Sequence, residues 1–184
     1  VLEEAGVKID IVTGTSMGSM VGGGYASGYS VKEIEDIIFG VNWNEMFAFR
    51  ADRSSINRLR REDDFKNIGI KEIGIKKDGL TFQDAVLPSQ HLSTFLTQIT
   101  KHVHTINDLS SLAIPFGAIA TDLSDGSLVR LQKDINLASA MRASMSVPGA
   151  FSPFQYKGHL LVDRGLSQNL PVESAKEMGA DIII

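Results

Sequence analysis

Two hydrophobic signatures alternate along these 184 residues. Short unbroken apolar runs predict strands buried on both faces, and apolar residues spaced three and four apart predict helices. "KIDIVT" (Lys8–Thr13) is a run of the first kind. "IPFGAIATDL" and "SLVRLQ" flank the turn "SDG" at Ser124–Gly126 and predict a hairpin. "FSPFQYKGHLLVDRG" predicts two strands about a Lys157–Gly158 turn, ending at Asp163. "IKEIGIKKDG" suggests a strand and turn, and the terminal "ADIII" a further strand. Among the helices, Ser30 and Glu33 form a capping box ahead of an apolar stripe of Val31, Ile34, Ile37 and Ile38, closed by Gly40. Ser89 caps "QHLSTFLTQITKHV", with Leu92, Phe95, Leu96 and Ile99 on one face. "NLASAMRAS" predicts a short helix ended before Pro148, and Pro171 opens "PVESAKEMG", closed by Gly179. Helices interleaved with apolar strands predict an α/β fold, a three-layer α/β/α arrangement with a mostly parallel central sheet. No repeat or linker divides the chain, so residues 1–184 read as one domain.

Composition narrows the function classes. The net charge of −4 gives no general attraction to nucleic acid or anionic lipid. The absence of cysteine excludes disulfides, thiol catalysis and thiolate-bound metals. The apolar runs are far shorter than the ~20 residues of a spanning helix. Arginines at 50, 53, 58, 60 and 61 form a local basic run, but Glu62–Asp64 follow and no aromatic platform accompanies them. That segment reads as solvated surface, suited to lipid head groups rather than to nucleic acid. Phe39, Trp43, Met46, Phe47 and Phe49 either line an acyl-chain groove or pack in the core. The chain opens inside "VLEEAG", which reads as the end of a helix closed by Gly6, and stops where a strand begins. It therefore reads as a domain with elements missing at both ends.

The chemistry centres on Gly14-Thr15-Ser16-Met17-Gly18, a G-x-S-x-G pattern between a predicted strand and a helix rich in small residues. A sharp strand-to-helix turn exposes the serine hydroxyl. It also sets Ser16 at a helix N-terminus, where the Met17 N–H is the natural first oxyanion donor. The glycines at 14 and 18 leave room for the adjoining strand and helix. Gly22, Gly23 and Gly24 each cost a helix about 1 kcal/mol relative to alanine, which points to close packing on the sheet. A phosphate-cradling loop is disfavoured, because no G-x-x-x-x-G-K-[ST] is present.

A serine nucleophile needs a base. His91, His102 and His104 fall on or just after the Ser89 helix and read as polar surface positions. His159 with Asp122 gives the chain order of an α/β-hydrolase triad, Ser16–Asp122–His159. Asp163 competes with it, standing on a turn at a strand's carboxyl end, where ligand crevices of α/β sheets form. A free aspartate, with a pKa of about 3.9, is a weak base at neutral pH, so such a site would raise it or use it mainly in the transition state.

Several segments in order bear on this choice: the Gly14–Gly18 turn, "ATDL" (120–123), "AMRASMSVPGAFSP" (140–153), "LLVDRGLSQNLPV" (160–172) and "GADIII". Together they resemble the patatin-like phospholipase family, most closely its bacterial members, over nearly the whole chain and most loosely over residues 42–110. The resemblance implies a lipid acyl hydrolase with a Ser16–Asp163 dyad, an acyl-enzyme intermediate, no cofactor and no metal. It also implies phospholipid or other acyl-ester substrates and peripheral membrane contact. Arg164 departs from the glycine that follows the family's dyad aspartate, and a cation there would act on the turn, on Asp163 or on head-group preference. The family's glycine-rich oxyanion loop lies upstream of the elbow and is expected before Val1, so these residues alone would lack one oxyanion donor. Three readings stay open: the dyad hydrolase, the His159 triad esterase, and a catalytically degenerate patatin-fold binding module. Head group, acyl-chain length, compartment and oligomeric state are not encoded legibly.

Overall fold

A computed structural model describes residues 2–46, 73–76, 79–82, 89–148, 150–163 and 170–184. In chain order the elements are β1 (Val12–Thr15), α1 (Met17–Ala26), α2 (Val31–Gly40), α3 (Trp43–Met46), β2 (Ile73–Lys76), β3 (Gly79–Phe82), α4 (Ser89–Ile99), β4 (Phe116–Asp122), β5 (Leu128–Leu131), α5 (Leu137–Ser144), β6 (Phe154–Tyr156), β7 (His159–Val162) and α6 (Val172–Glu177). Short 3-10 turns at Lys101–Val103 and Leu109–Ser111 join α4 to β4.

The five-stranded sheet is organised by β4, which is almost wholly buried. β1 pairs with it in parallel, setting Thr15 beside Ile119. β5 pairs with it antiparallel across the Ser124–Gly126 turn, as the hairpin signal predicts. β7 also pairs with it antiparallel, through Thr121↔Val162 and Asp122↔Leu161, and β6 continues from β7 around Lys157–Gly158. β2 and β3 form a separate two-stranded antiparallel sheet. The α/β class stands, but the expectation of a mostly parallel sheet does not hold among the described strands. In the five-stranded sheet only β1 with β4 is parallel: β4–β5 and β6–β7 are hairpins, and β7, reached through α5 and β6, returns antiparallel to β4. Asp181–Ile184, expected as a strand, forms none here, and Ile182 and Ile184 are exposed.

Helices cover both faces, giving the expected three layers. Successive residues of β4 point to opposite sides. Phe116 meets α1, and α1 in turn meets α5: a Cβ on Gly23 would stand 2.5 Å from Met141 Cε and 3.2 Å from Phe116 Cε1. Gly117 faces the other way, toward Met178 at the end of α6. Arg130 of β5 ties α6 down by donating to Glu177 at 2.8 Å. The small residues of α1 thus serve close helix packing. Leu92, Leu96, Leu109, Leu131, Leu137, Met141 and Phe151 fill the core. The Ser30–Glu33 capping box forms in full at the start of α2. Gly6 closes the opening turn at φ 70°, with Val7 N–H donating to the Leu2 carbonyl.

Candidate active site

β1 ends at Thr15, and the chain turns into α1 through Ser16 with φ 54° and ψ −125°. A non-glycine residue at positive φ stores backbone strain of order 1–3 kcal/mol. The turn is held from below by Gly14. A Cβ there would lie 2.4 Å from the Gly18 carbonyl oxygen, so only glycine lets the helix start fold back over the strand. Gly18 differs: a Cβ at that position meets nothing within 4 Å. The pattern's second glycine is therefore not required by packing among the described residues. The Ser19 hydroxyl and N–H both donate to the Ser16 carbonyl, at 2.6 and 2.9 Å, pinning the first turn of α1. Met17 and Gly18 sit where a helix start leaves N–H groups outside its own ladder.

Ser16 and Asp163 meet through the edges of β4. β5 occupies one edge over Ala118–Thr121. A strand has two edges, so β1 and β7 must share the other. β1 runs up it as far as Thr15↔Ile119, and β7 runs down it as far as Val162↔Thr121. Their carboxyl ends converge on the one uncovered residue between them, Ala120, and the next residue of each strand is Ser16 and Asp163. The Ser16 hydroxyl donates to Asp163 Oδ2 at 2.5 Å. Asp163 is only 6% exposed. The carboxyl-end crevice expected of a parallel sheet is thus formed by two strands meeting head-on.

His159 stands at the other end of β7, about 13 Å along the strand from Asp163 at roughly 3.3 Å per residue. Its Nδ1 pairs with Asp122, which also accepts the Ser124 N–H at 2.8 Å and the Ser124 hydroxyl at 2.7 Å. These bonds, those from Ser124 foremost, hold the Asp122 carboxyl below its ordinary value. Asp122 and His159 are brought together as the triad reading requires, but Ser16 is bonded to Asp163 instead. His102 Nε2 lies 3.2 Å from the Ser27 carbonyl and His104 Nδ1 2.7 Å from that of Lys101, both structural surface contacts. Trp43 donates to the Ile38 carbonyl and packs edge-on against Phe95, whereas Phe39 is 85% exposed. Arg164, Phe47, Phe49 and the arginines from 50 to 61 lie outside the described residues. An apolar cavity of about 20 Å³ under α1 and α2, and an open trough of about 560 Å³ along α4, are lined by neither Ser16 nor Asp163.

Three polar residues that the motif reading passed over complete the site. Ser144, wholly buried at the end of α5, accepts the Ser16 N–H at 2.9 Å and donates to the Ile119 carbonyl at 2.5 Å. The Ser146 carbonyl accepts the Asp163 N–H at 2.8 Å. Arg142 donates to the Ser146 hydroxyl at 2.6 Å and to the Ser152 carbonyl at 3.2 Å, with its guanidinium 5.3 Å from the Phe151 ring centre. Burial pushes the Arg142 pKa down. The available signal was three polar residues at alternate positions within the otherwise small and apolar "AMRASMSV".

An elbow serine bonded to a buried carboxylate, set at the converging strand ends of an α/β sheet, describes a class of site; the family follows from comparison. The profile described as Patatin-like phospholipase matches residues 1–176, and the chain belongs to that family. It is 29% identical to patatin-like phospholipase domain-containing protein 7 of Rattus norvegicus over 187 aligned residues, covering 100% of this chain and 12% of that protein. It is likewise 29% identical to human patatin-like phospholipase domain-containing protein 6, covering 100% of this chain and 11% of the relative. An uncharacterised NTE family protein of Mycobacterium tuberculosis is 38% identical over 76 residues, 41% of this chain and 21% of that one. The chain thus spans only about an eighth of the length of the mammalian relatives. Among solved structures, VipD from Legionella pneumophila shares the fold, with a TM-score of 0.53 at 16% identity, covering 92% of this chain and 43% of that one.

Proposed function

We propose that this domain hydrolyses acyl esters of lipids with Ser16 as nucleophile and Asp163 as its base. The observation that carries the proposal is the 2.5 Å hydrogen bond from the Ser16 hydroxyl to Asp163 Oδ2, made by a serine on a strained turn at a helix start. The Ser16 oxygen attacks the ester carbonyl carbon as its proton passes to Asp163. The carbonyl oxygen becomes an anion and accepts the Met17 N–H, aided by the N-terminal end of the α1 dipole. Collapse of this intermediate breaks the bond to the alcohol, which leaves with the proton from Asp163. Water then repeats the sequence on the acyl-serine, releasing the carboxylic acid and restoring Ser16. Family membership supports a lipid substrate. So do the apolar groups beside the dyad: Met17 and Val147 are 40% and 42% exposed, next to Ser16 and Ser146 respectively. Peripheral contact with a lipid surface follows as part of this reading.

The test is turnover of a dispersed phospholipid by the full protein. Asp163→Asn is expected to lower kcat by about 10²–10⁴-fold, the usual range for a lost proton-transfer partner, and Ser16→Ala by more, because no acyl-enzyme can form without the hydroxyl. His159→Ala is expected to keep near-normal turnover. An active Asp163→Asn with an inactive His159→Ala would overturn the dyad in favour of the triad.

A further inference from the structure

Converging β1 and β7 on one edge of β4 creates a local problem. The Ser16 N–H faces β4 just past the end of the β1 ladder, and the Asp163 N–H faces the β6 side of β7 just past that ladder's last pair, Phe154↔Leu161, so neither has a strand to receive it. Both are received by one short segment at the end of α5. The Ser144 hydroxyl takes the Ser16 N–H, and the Ser146 carbonyl takes the Asp163 N–H. Ser144 does more than cap. By also donating to the Ile119 carbonyl, it inserts a hydroxyl between the elbow and β4, where a direct backbone bond would stand if β1 continued. The segment is itself fixed: Ser146 is bonded through its hydroxyl to the Arg142 guanidinium and the Arg142 carbonyl. Arg142 is 6% exposed and reaches across to the Ser152 carbonyl.

We propose that Ser144 is a positioning residue for the nucleophile, and that the Ser144–Ser146 segment sets the spacing of Ser16 and Asp163 by holding the backbone of each. Neither residue of the segment contacts the reacting atoms through its side chain. Ser144 acts through the Ser16 amide, and Ser146 through the Asp163 amide. Removing the Ser144 hydroxyl takes the partner from the half-buried Ser16 N–H and from the buried Ile119 carbonyl, and the strained turn relaxes toward ordinary dihedrals. Ser16 then drifts from Asp163 while the surfaces that bind substrate are untouched.

This inference rests on the dyad reading, and the experiment separates the two. Ser144→Ala, Ser144→Cys, Asp163→Asn and the core variant Leu96→Ala are made in the full protein. Each kcat is normalised to folded protein measured by circular dichroism and gel filtration, so that loss of folded protein is removed from the comparison. Ser144→Ala is expected to lose about 10²-fold in kcat, the scale of an ångström misplacement, with KM nearly unchanged. Ser144→Cys, near in size but a weaker donor and acceptor, is expected to fall between Ser144→Ala and the parent, and it carries the test if Ser144→Ala does not fold. Leu96→Ala is expected to lower Tm while keeping kcat. A normal kcat in Ser144→Ala or Ser144→Cys, with Asp163→Asn inactive, overturns the positioning role alone. A fully active Asp163→Asn overturns the dyad beneath it. Equal loss of kcat in Leu96→Ala would show that destabilisation, not positioning, is being read.

Discussion

Replacing Gly14 by alanine places a methyl carbon 2.4 Å from the Gly18 carbonyl oxygen, 2.6 Å from its carbonyl carbon and 2.7 Å from Ser19 Cα. All three are backbone atoms in the first turn of α1, so no side-chain rotation relieves the clash. Non-bonded carbon contacts settle at roughly 3.5 Å, so the turn must open by about 1 Å. Overpacking of this kind costs about 1–3 kcal/mol, and a shift of that size at a reacting group lowers turnover by about 10²-fold. For a domain of this size, about 2 kcal/mol corresponds to a Tm drop of roughly 4–8 °C. The other glycine of the same motif gives the opposite expectation. Gly18 lies inside α1 with nothing within 4 Å of a Cβ, so alanine gains helix propensity of up to ~1 kcal/mol. Thermal and urea unfolding of Gly14→Ala and Gly18→Ala, with ester turnover of the former, check the pair. A Gly14→Ala protein as stable as the parent, or a Gly18→Ala protein less stable than Gly14→Ala, would refute the packing account of the elbow.

Two further outcomes are expected. Because Ser16 holds φ 54°, Ser16→Gly should be more stable than Ser16→Ala by about 1–2 kcal/mol although both lack the hydroxyl; equal urea midpoints would show that the turn is unstrained. Asp122 is held below its ordinary pKa of 3.8 by bonds from the Ser124 N–H, the Ser124 hydroxyl and His159. Its contribution to stability is therefore fully present above that value and is lost as pH falls below it through the depressed folded value. Acid unfolding of Asp122→Asn should lack this part of the slope, and an unchanged acid profile would sink the assignment.

The locally determined features were legible because each depends on residues close in the chain. The capping box needs Ser30 and Glu33, the hairpins need Ser124–Gly126 and Lys157–Gly158, and the elbow needs a glycine at 14 beneath a serine at 16. Ser16 and Asp163 were both nameable as candidates. What the letters left open was which carboxylate faces the serine. Asp122 and His159 also find each other, so the triad order contains a real pairing, but Ser16 is bonded to Asp163. Arg142, Ser144 and Ser146 went unassigned because their partners are backbone groups, which leave no trace in a side-chain pattern.

The sequence by itself therefore determined the elements, their turns and the short set of residues able to do chemistry. The tertiary structure decided how β7 runs, and with it the site. β5 takes one edge of β4, the other edge is left for β1 and β7 together, and a strand edge offers one set of hydrogen-bonding groups to be shared between them. That constraint stops both strands at Ala120 and brings Ser16 against Asp163, while His159 is carried to the far end of its strand.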